Sequence, residues 1–231
     1  MIKIYKANQH GRSELGWLSS WFHFSFAEYR NPKRTQFGAL RVINDDLVKA
    51  GKGFDTHPHR DMEIISYVVE GELTHGDSMG NRRVLNRGQI QYMSAGRGVT
   101  HSEYNYGTKT ARFLQIWIFP DNQGYDPRYG DYAFAWADRD NQWLHLVSSE
   151  TGNAPVKIHQ DANLYALSLA PGKDIQFDIQ PQRQAYLVLI EGAAIINGHL
   201  LTMRDGLETL EEPLHVEAQE PSHLLLIELA K

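Results

Sequence analysis

Along most of the chain, apolar positions gather into short runs rich in β-branched and aromatic residues, closed by Gly, Pro, Asn or Asp. "LRVIND" (40–45), "EIISYVVEG" (63–71), "GQIQYMSAG" (88–96) and "FLQIWIFP" (113–120) are of this kind. So are "LYALSLAPG" (164–172), "AYLVLIEG" (185–192), "AAIING" (193–198) and "HLLLIELA" (223–230). Each reads as a strand, and "GDSMGN" (76–81) as the turn of a hairpin. Sustained helical periodicity is missing; "RSELGWLSSWF" (12–22) suggests a single helical turn. The pattern predicts an all-β sandwich or barrel.

Between about residues 120 and 140 the pattern lapses into a polar, Gly- and Pro-containing seam. On either side the order of elements repeats. "VVEGELTHGDSMGNRRVLNRGQ" (68–89) is echoed by "LIEGAAIINGHLLTMRDGLE" (189–208), each an apolar strand ending in Glu-Gly, a hairpin and a further strand. Two similar β domains in tandem follow, at 1–130 and 131–231. The 231 residues suffice for two such domains, and 42% hydrophobic against 22% charged residues is a soluble balance. No apolar run reaches the ~20 residues that span a bilayer, and the N-terminus carries no secretory signal. A cytoplasmic protein is expected, without membrane attachment. A net charge of −5 and a pI near 6.1 disfavour direct nucleic-acid binding.

The absence of cysteine leaves only nitrogen and oxygen ligands for any metal. His57 and His59 are two apart in "THPHRDMEI", so on a strand they project from one face. His101 and Glu103 repeat that spacing in "GRGVTHSEYN". Two such pairs on neighbouring strands would bring three imidazoles and a carboxylate to one point, with coordination positions left open for chemistry. Fe(II), Mn, Ni, Co, Cu and Zn all suit such a set. A lone His-x-His is more often decoration than a ligand pair; the second pair turns the balance. His75 is explained by local hydrogen bonding to Asp77. His10, His23, His145, His159, His199 and His223 lack a partner two residues away and read as surface or structural residues. His215 and Glu217 imitate the second pair, but no His-x-His matches them in the second half. There is no nucleotide-binding Gly-rich loop and no G-x-S-x-G elbow.

"GKGFDTHPHRDMEIISYVVEG" (51–71) and "MSAGRGVTHSEYN" (93–105) closely resemble the pirin family of the cupin superfamily. "GWLSSWFHFSFAEY" (16–29) and "FGALRVINDD" (37–46) resemble its bacterial members. The likeness is specific from residue 14 to about 120; beyond that the chain resembles a degenerate cupin. It implies a bicupin, two double-stranded β-helix (jelly-roll) domains, with one divalent ion in the first, Fe(II) foremost, and none in the second. Carried over by position, the ligands are His57, His59, His101 and Glu103. The implied activity is that of a quercetin 2,3-dioxygenase, taking a flavonol and O2 and releasing CO, with Glu103 also the catalytic base. The rival implication is a metal-dependent, redox-sensing regulator working through a protein partner.

Glu63 is excluded from the ligand set. In the general cupin pattern six residues separate a glutamate from a glycine; here seven separate Glu63 from Gly71, and Ile64 takes the counted position. One residue of offset turns a strand side chain to the other face. Glu63 is then a structural acid, paired with Arg60 or another base. In the second motif Gly96 replaces the usual proline, which should loosen the turn.

Overall fold

A computed structural model describes residues 2–231, and nearly all of them belong to strands or their connections. The chain forms two compact units. The first comprises Gly11–Phe134 with Ile158–Gln160; the second comprises residues 2–10, Ala135–Lys157 and Asp161–Lys231. Among the described residues, no helix is long and apolar enough to cross a membrane.

In chain order, β1 (Ile2–Tyr5) precedes the eleven strands of the first unit. These are β2 (Gly11–Glu14), β3 (Leu18–Phe22), β4 (Leu40–Val48), β5 (Lys52–His59), β6 (Glu63–Glu70) and β7 (Glu72–Asp77). They continue with β8 (Arg82–Asn86), β9 (Ile90–Ser94), β10 (Val99–Asn105), β11 (Ala111–Ile118) and β12 (Arg128–Tyr132). The second unit adds β13 (Leu144–Ser149), β14 (Val156–Ile158), β15 (Ala162–Leu169), β16 (Asp174–Phe177) and β17 (Arg183–Glu191). It ends with β18 (Ala193–Ile196), β19 (His199–Thr202), β20 (Gly206–Leu210), β21 (Leu214–Ala218) and β22 (Ser222–Ala230).

Each unit is a seven-stranded sheet packed on a four-stranded one. In the first, the orders are β12-β9-β6-β11-β4-β3-β2 and β5-β10-β7-β8. In the second, they are β1-β20-β17-β22-β15-β13-β14 and β16-β21-β18-β19. From β9 to β4 and from β20 to β15, and throughout the four-stranded sheets, the two orders correspond, so the repeat expected from the sequence is a duplicated double-stranded β-helix. Both edges are recruited differently: beyond β4 the order is β3-β2, beyond β15 it is β13-β14, with the chain order reversed. The place that β12 fills in the first sheet is filled in the second by β1, whose Ile2–Tyr5 pair antiparallel with Thr209–Gly206 of β20.

Two local expectations need correction. Residues 12–22 form no helical turn: β2 and β3 make a hairpin, with Gly11 opposite Phe22 and Glu14 opposite Ser19. Gly16, at φ 78°, supplies the left-handed residue of its turn. The seam near 120–140 is also not a bare linker, because β12 lies in it and pairs with β9.

The interiors differ. Leu167, Leu187, Leu207, Leu214, Leu224 and Leu226 belong to a continuous apolar core in the second unit. In the first unit, Leu18, Val48, Val68, Leu73, Leu85 and Phe113 pack from both sheets at one level. Ile64, Met93, Ala95 and Val99 form a separate cluster. A polar band crosses the seven-stranded sheet of this unit, and the candidate site is built on it.

Candidate metal centre

β5 and β10 run antiparallel, with His101 opposite His57 and Val99 opposite His59. This pairing and the period-2 alternation place His57, His59 and His101 on one inward face. Their ring centroids lie 4.6–4.9 Å apart. The register slips between His101 and Glu103, and Glu103 then faces Phe54. His101 and Glu103 are each 2% exposed, whereas His57 and His59 are half-buried.

The imidazoles carry uncommitted lone pairs. His57 Nδ1 lies 2.6 Å from the Asp55 carbonyl. A carbonyl only accepts, so Nδ1 holds the proton and Nε2 is bare. His59 Nε2 and His101 Nδ1 are buried without a hydrogen-bond partner. Burial first, then the neighbouring histidines, push His59 down to about 4 and His101 to about 3. Both rings are therefore neutral near pH 7, the form in which imidazole binds metal. Three imidazoles with unmade bonds, meeting in one place, fit a borderline divalent cation.

Glu103 is held from the facing sheet. Gln91, Ser66, Gln115 and Asn44 sit opposite one another in a single row across β9, β6, β11 and β4. Ser66 Oγ and the Gln91 amide each donate to Glu103 Oε1 at 2.6 Å, and the Gln115 amide donates to Oε2 at 2.6 Å. Tyr129 extends the network by donating to Gln91 Oε1 at 3.2 Å. Three donors on three neighbouring strands fix the carboxylate, and Oε2 retains accepting capacity.

Among the described residues, two groups bring potential ligand atoms within 4.8 Å of one another: His57, His59 and His101, and His75, His101 and Glu103. His101 belongs to both groups; Glu103 meets His75 and His101 in the second, while His57 and His59 meet His101 in the first. His75 Nε2 bonds Asp77 Oδ2 at 2.9 Å, as its sequence neighbourhood suggested. Its ring also stacks on Tyr129, and Nδ1 is buried without a partner.

Glu63 lies elsewhere. It is 1% exposed, accepts hydrogen bonds from Ser94 Oγ at 2.7 Å and the His159 backbone N–H at 3.3 Å, and burial pushes its carboxyl up. Ser94, not Arg60, is its side-chain partner. His215 and Glu217 on β21 are exposed, because Leu214, Val216 and Ala218 take the inward positions. The turn at Gly96 is not loose. Its φ is 43°, a Cβ there would lie 2.0 Å from the Tyr125 carbonyl, and that carbonyl accepts from Arg97 N–H at 2.8 Å.

The histidines and Glu103 line a cavity of about 330 Å³, within the small-molecule range. Trp17, Phe22, Phe26, Phe54 and Trp117 supply its aromatic walls. Trp117 is edge-on to His59, and its Nε1 is buried without a partner. Asn44, Asp46 and Ser20 also line the cavity. Burial pushes Asp46 up to about 7, against a hydrogen bond from Ser20 that lowers it.

A duplicated double-stranded β-helix, with histidines and an anchored carboxylate converging inside one copy, is a two-domain cupin. Residues 4–118 match the Pirin family, and residues 145–229 match the quercetinase C-terminal cupin domain. A quercetin 2,3-dioxygenase of Escherichia coli strain K12 is 41% identical over 231 residues, covering 99% of each chain. A pirin-like protein of Caulobacter vibrioides is 39% identical, with full coverage of both. The crystal structure of the Escherichia coli bacterial pirin YhhW in complex with nickel(II) superposes with a TM-score of 0.93 at 40% identity, over 100% of this chain and 99% of that one. This chain belongs to the pirin family.

Proposed function

We propose that this protein is a metal-dependent dioxygenase acting on a flavonol with O2 and releasing CO, a quercetin 2,3-dioxygenase. His57, His59, His101 and Glu103 hold one divalent ion, Fe(II) foremost, in the first domain. The observation that carries this reading is the meeting of lone-pair-bearing imidazoles and a pinned carboxylate in an aromatic-walled cavity. The names of the pirin relatives point the same way. Bound there, the ion would supply the positive charge that acidifies a coordinated substrate hydroxyl.

The chain's own residues do the rest. The aromatic walls hold a flat ring system and exclude water. Glu103 Oε2 accepts the hydroxyl proton while Gln115 keeps that oxygen in place. Ser66 and Gln91 prevent the carboxylate from turning away. His75, tied to Asp77, packs its ring beside that of His101.

The test is metal analysis of the purified protein followed by a quercetin assay under air, with flavonol loss and CO measured together. The expected result is consumption with matching CO. In Glu103→Gln, turnover should fall by about 10²-fold or more, a greater loss than that of metal binding. Full activity in that variant would remove Glu103 from the chemistry. A metal-replete protein that neither consumes flavonol nor releases CO would sink the dioxygenase reading and favour the regulatory one.

A further inference from the structure

One polar pair in the first domain's cavity is left unexplained by packing. Asn44 and Asp46 are two apart on β4, share its inward face and are each 3% exposed. Asn44 Oδ1 and Asp46 Oδ1 are buried and have no hydrogen-bond partner, although both residues line the cavity. Ser20, opposite Asp46 on β3, provides that carboxyl with one hydrogen bond. Asp45, between them, faces the other side of the sheet and has a complete partner: Arg112 donates to both its oxygens, at 2.9 and 2.5 Å. Adjacent buried aspartates are therefore treated oppositely. One is neutralised by a cation; the other keeps a bare acceptor in the cavity. Buried acceptors without partners are rare in native proteins and call for an explanation.

Their place along the cavity suggests one. On β11 the inward positions run Trp117, Gln115, Phe113; Gln115 is opposite Asn44 and Phe113 opposite Asp46. Trp117 abuts His59 and Gln115 binds Glu103. Asp46 thus lies two inward steps beyond the Trp117 level, about 13 Å along the strand. A ligand that reaches both ends is longer than a single ring.

We infer that Asn44, in the row that anchors Glu103, and Asp46, one inward step beyond it, are the specificity-determining residues of this cavity, accepting hydrogen bonds from a phenolic hydroxyl on a ring other than the one held at the histidines. The inference rests on the aromatic-substrate reading above and deepens it. A site with buried acceptors rejects an analogue lacking the donor, because the acceptors stay desolvated and unpaired.

The test compares quercetin, hydroxylated on its outer rings, with 3-hydroxyflavone, which is not. Binding to the metal-loaded protein is measured without oxygen by quenching of tryptophan fluorescence, and kcat/KM is measured in air. Wild type should bind quercetin about 30-fold or more tightly than 3-hydroxyflavone. Asp46→Ala should bring that ratio below about 5, and Asn44→Ala should reduce it about 3-fold or more. The Asn44 variant carries the test should the Asp46 variant fail to fold. An undiminished ratio in the folded variants, or no discrimination by wild type, overturns the inference. Discrimination that collapses in the variants without any CO release supports it and sinks the dioxygenase reading. CO release with an unchanged ratio does the reverse.

Discussion

Replacing Asp46 by Asn should stabilise the first domain, and by an amount that grows with pH. In the unfolded chain Asp46 loses its proton near the ordinary 3.8; in the fold, burial among Asn44, Phe113 and the cavity wall holds the proton to about 7. Between these values the folded state binds a proton that the unfolded state has released, so rising pH favours unfolding. The contribution is whole below about pH 4 and is lost as pH rises through 7. The interval is roughly three pH decades at about 1.4 kcal/mol each, or about 4 kcal/mol. Asp46→Asn keeps the shape and an oxygen able to accept from Ser20, but cannot ionise. Its stability advantage over wild type should therefore be about 4 kcal/mol larger at pH 8 than at pH 4. Urea unfolding of both proteins across pH 4–8, with midpoints and slopes recorded, measures the difference directly. A difference constant within about 1 kcal/mol across that range would show that Asp46 ionises freely in the fold, and the burial argument would fail.

Three further outcomes follow from the same geometry. Gly96→Ala should cost about 2 kcal/mol or more, because its Cβ would meet the Tyr125 carbonyl at 2.0 Å in a left-handed backbone; thermal unfolding reads this. Glu63→Gln should retain the full metal stoichiometry by elemental analysis, since Glu63 bonds Ser94 and the His159 backbone, away from the histidines. Nickel(II) at a hundred times its Kd should add about 2.7 kcal/mol and raise the Tm of the first domain by roughly 10 °C. His57→Ala should abolish that rise, and an undiminished rise would place the ion elsewhere.

The strands were legible where β-branched runs were long, as in "EIISYVVEG" and "FLQIWIFP" (63–71 and 113–120), which became β6 and β11. They were illegible where the inward face itself is partly polar. In "LSSWF" (18–22) the burial alternates, but one inward position is Ser20, which lines the cavity rather than the core. That broke the apolar alternation and let a helical turn compete. β12 and β1 are edge strands whose partners, β9 and β20, stand far away in sequence. No local pattern reveals such pairing, which is why β1 read as part of the first half.

The site divides along the same line. Two His/Glu pairs at a spacing of two were enough to suggest convergence, but spacing alone does not say which face points inward. "VTHSEYN" and "LHVEA" both contain His-x-Glu, yet His101 and Glu103 are buried while His215 and Glu217 are exposed. The difference lies in their neighbours. In β21 the alternate positions are Leu214, Val216 and Ala218, and their burial drives the charged pair outward. In β10 the alternate positions are Thr100, Ser102 and Tyr104, which exert no comparable pull. The anchors of Glu103 carried a signal of the same sort. Ser66, Gln91 and Gln115 are isolated polar residues inside otherwise apolar strands, and each forfeits core packing at its position. A strand tolerates such a residue only where it finds a partner. Three of them on three strands required a shared one, and the facing sheet offers Glu103.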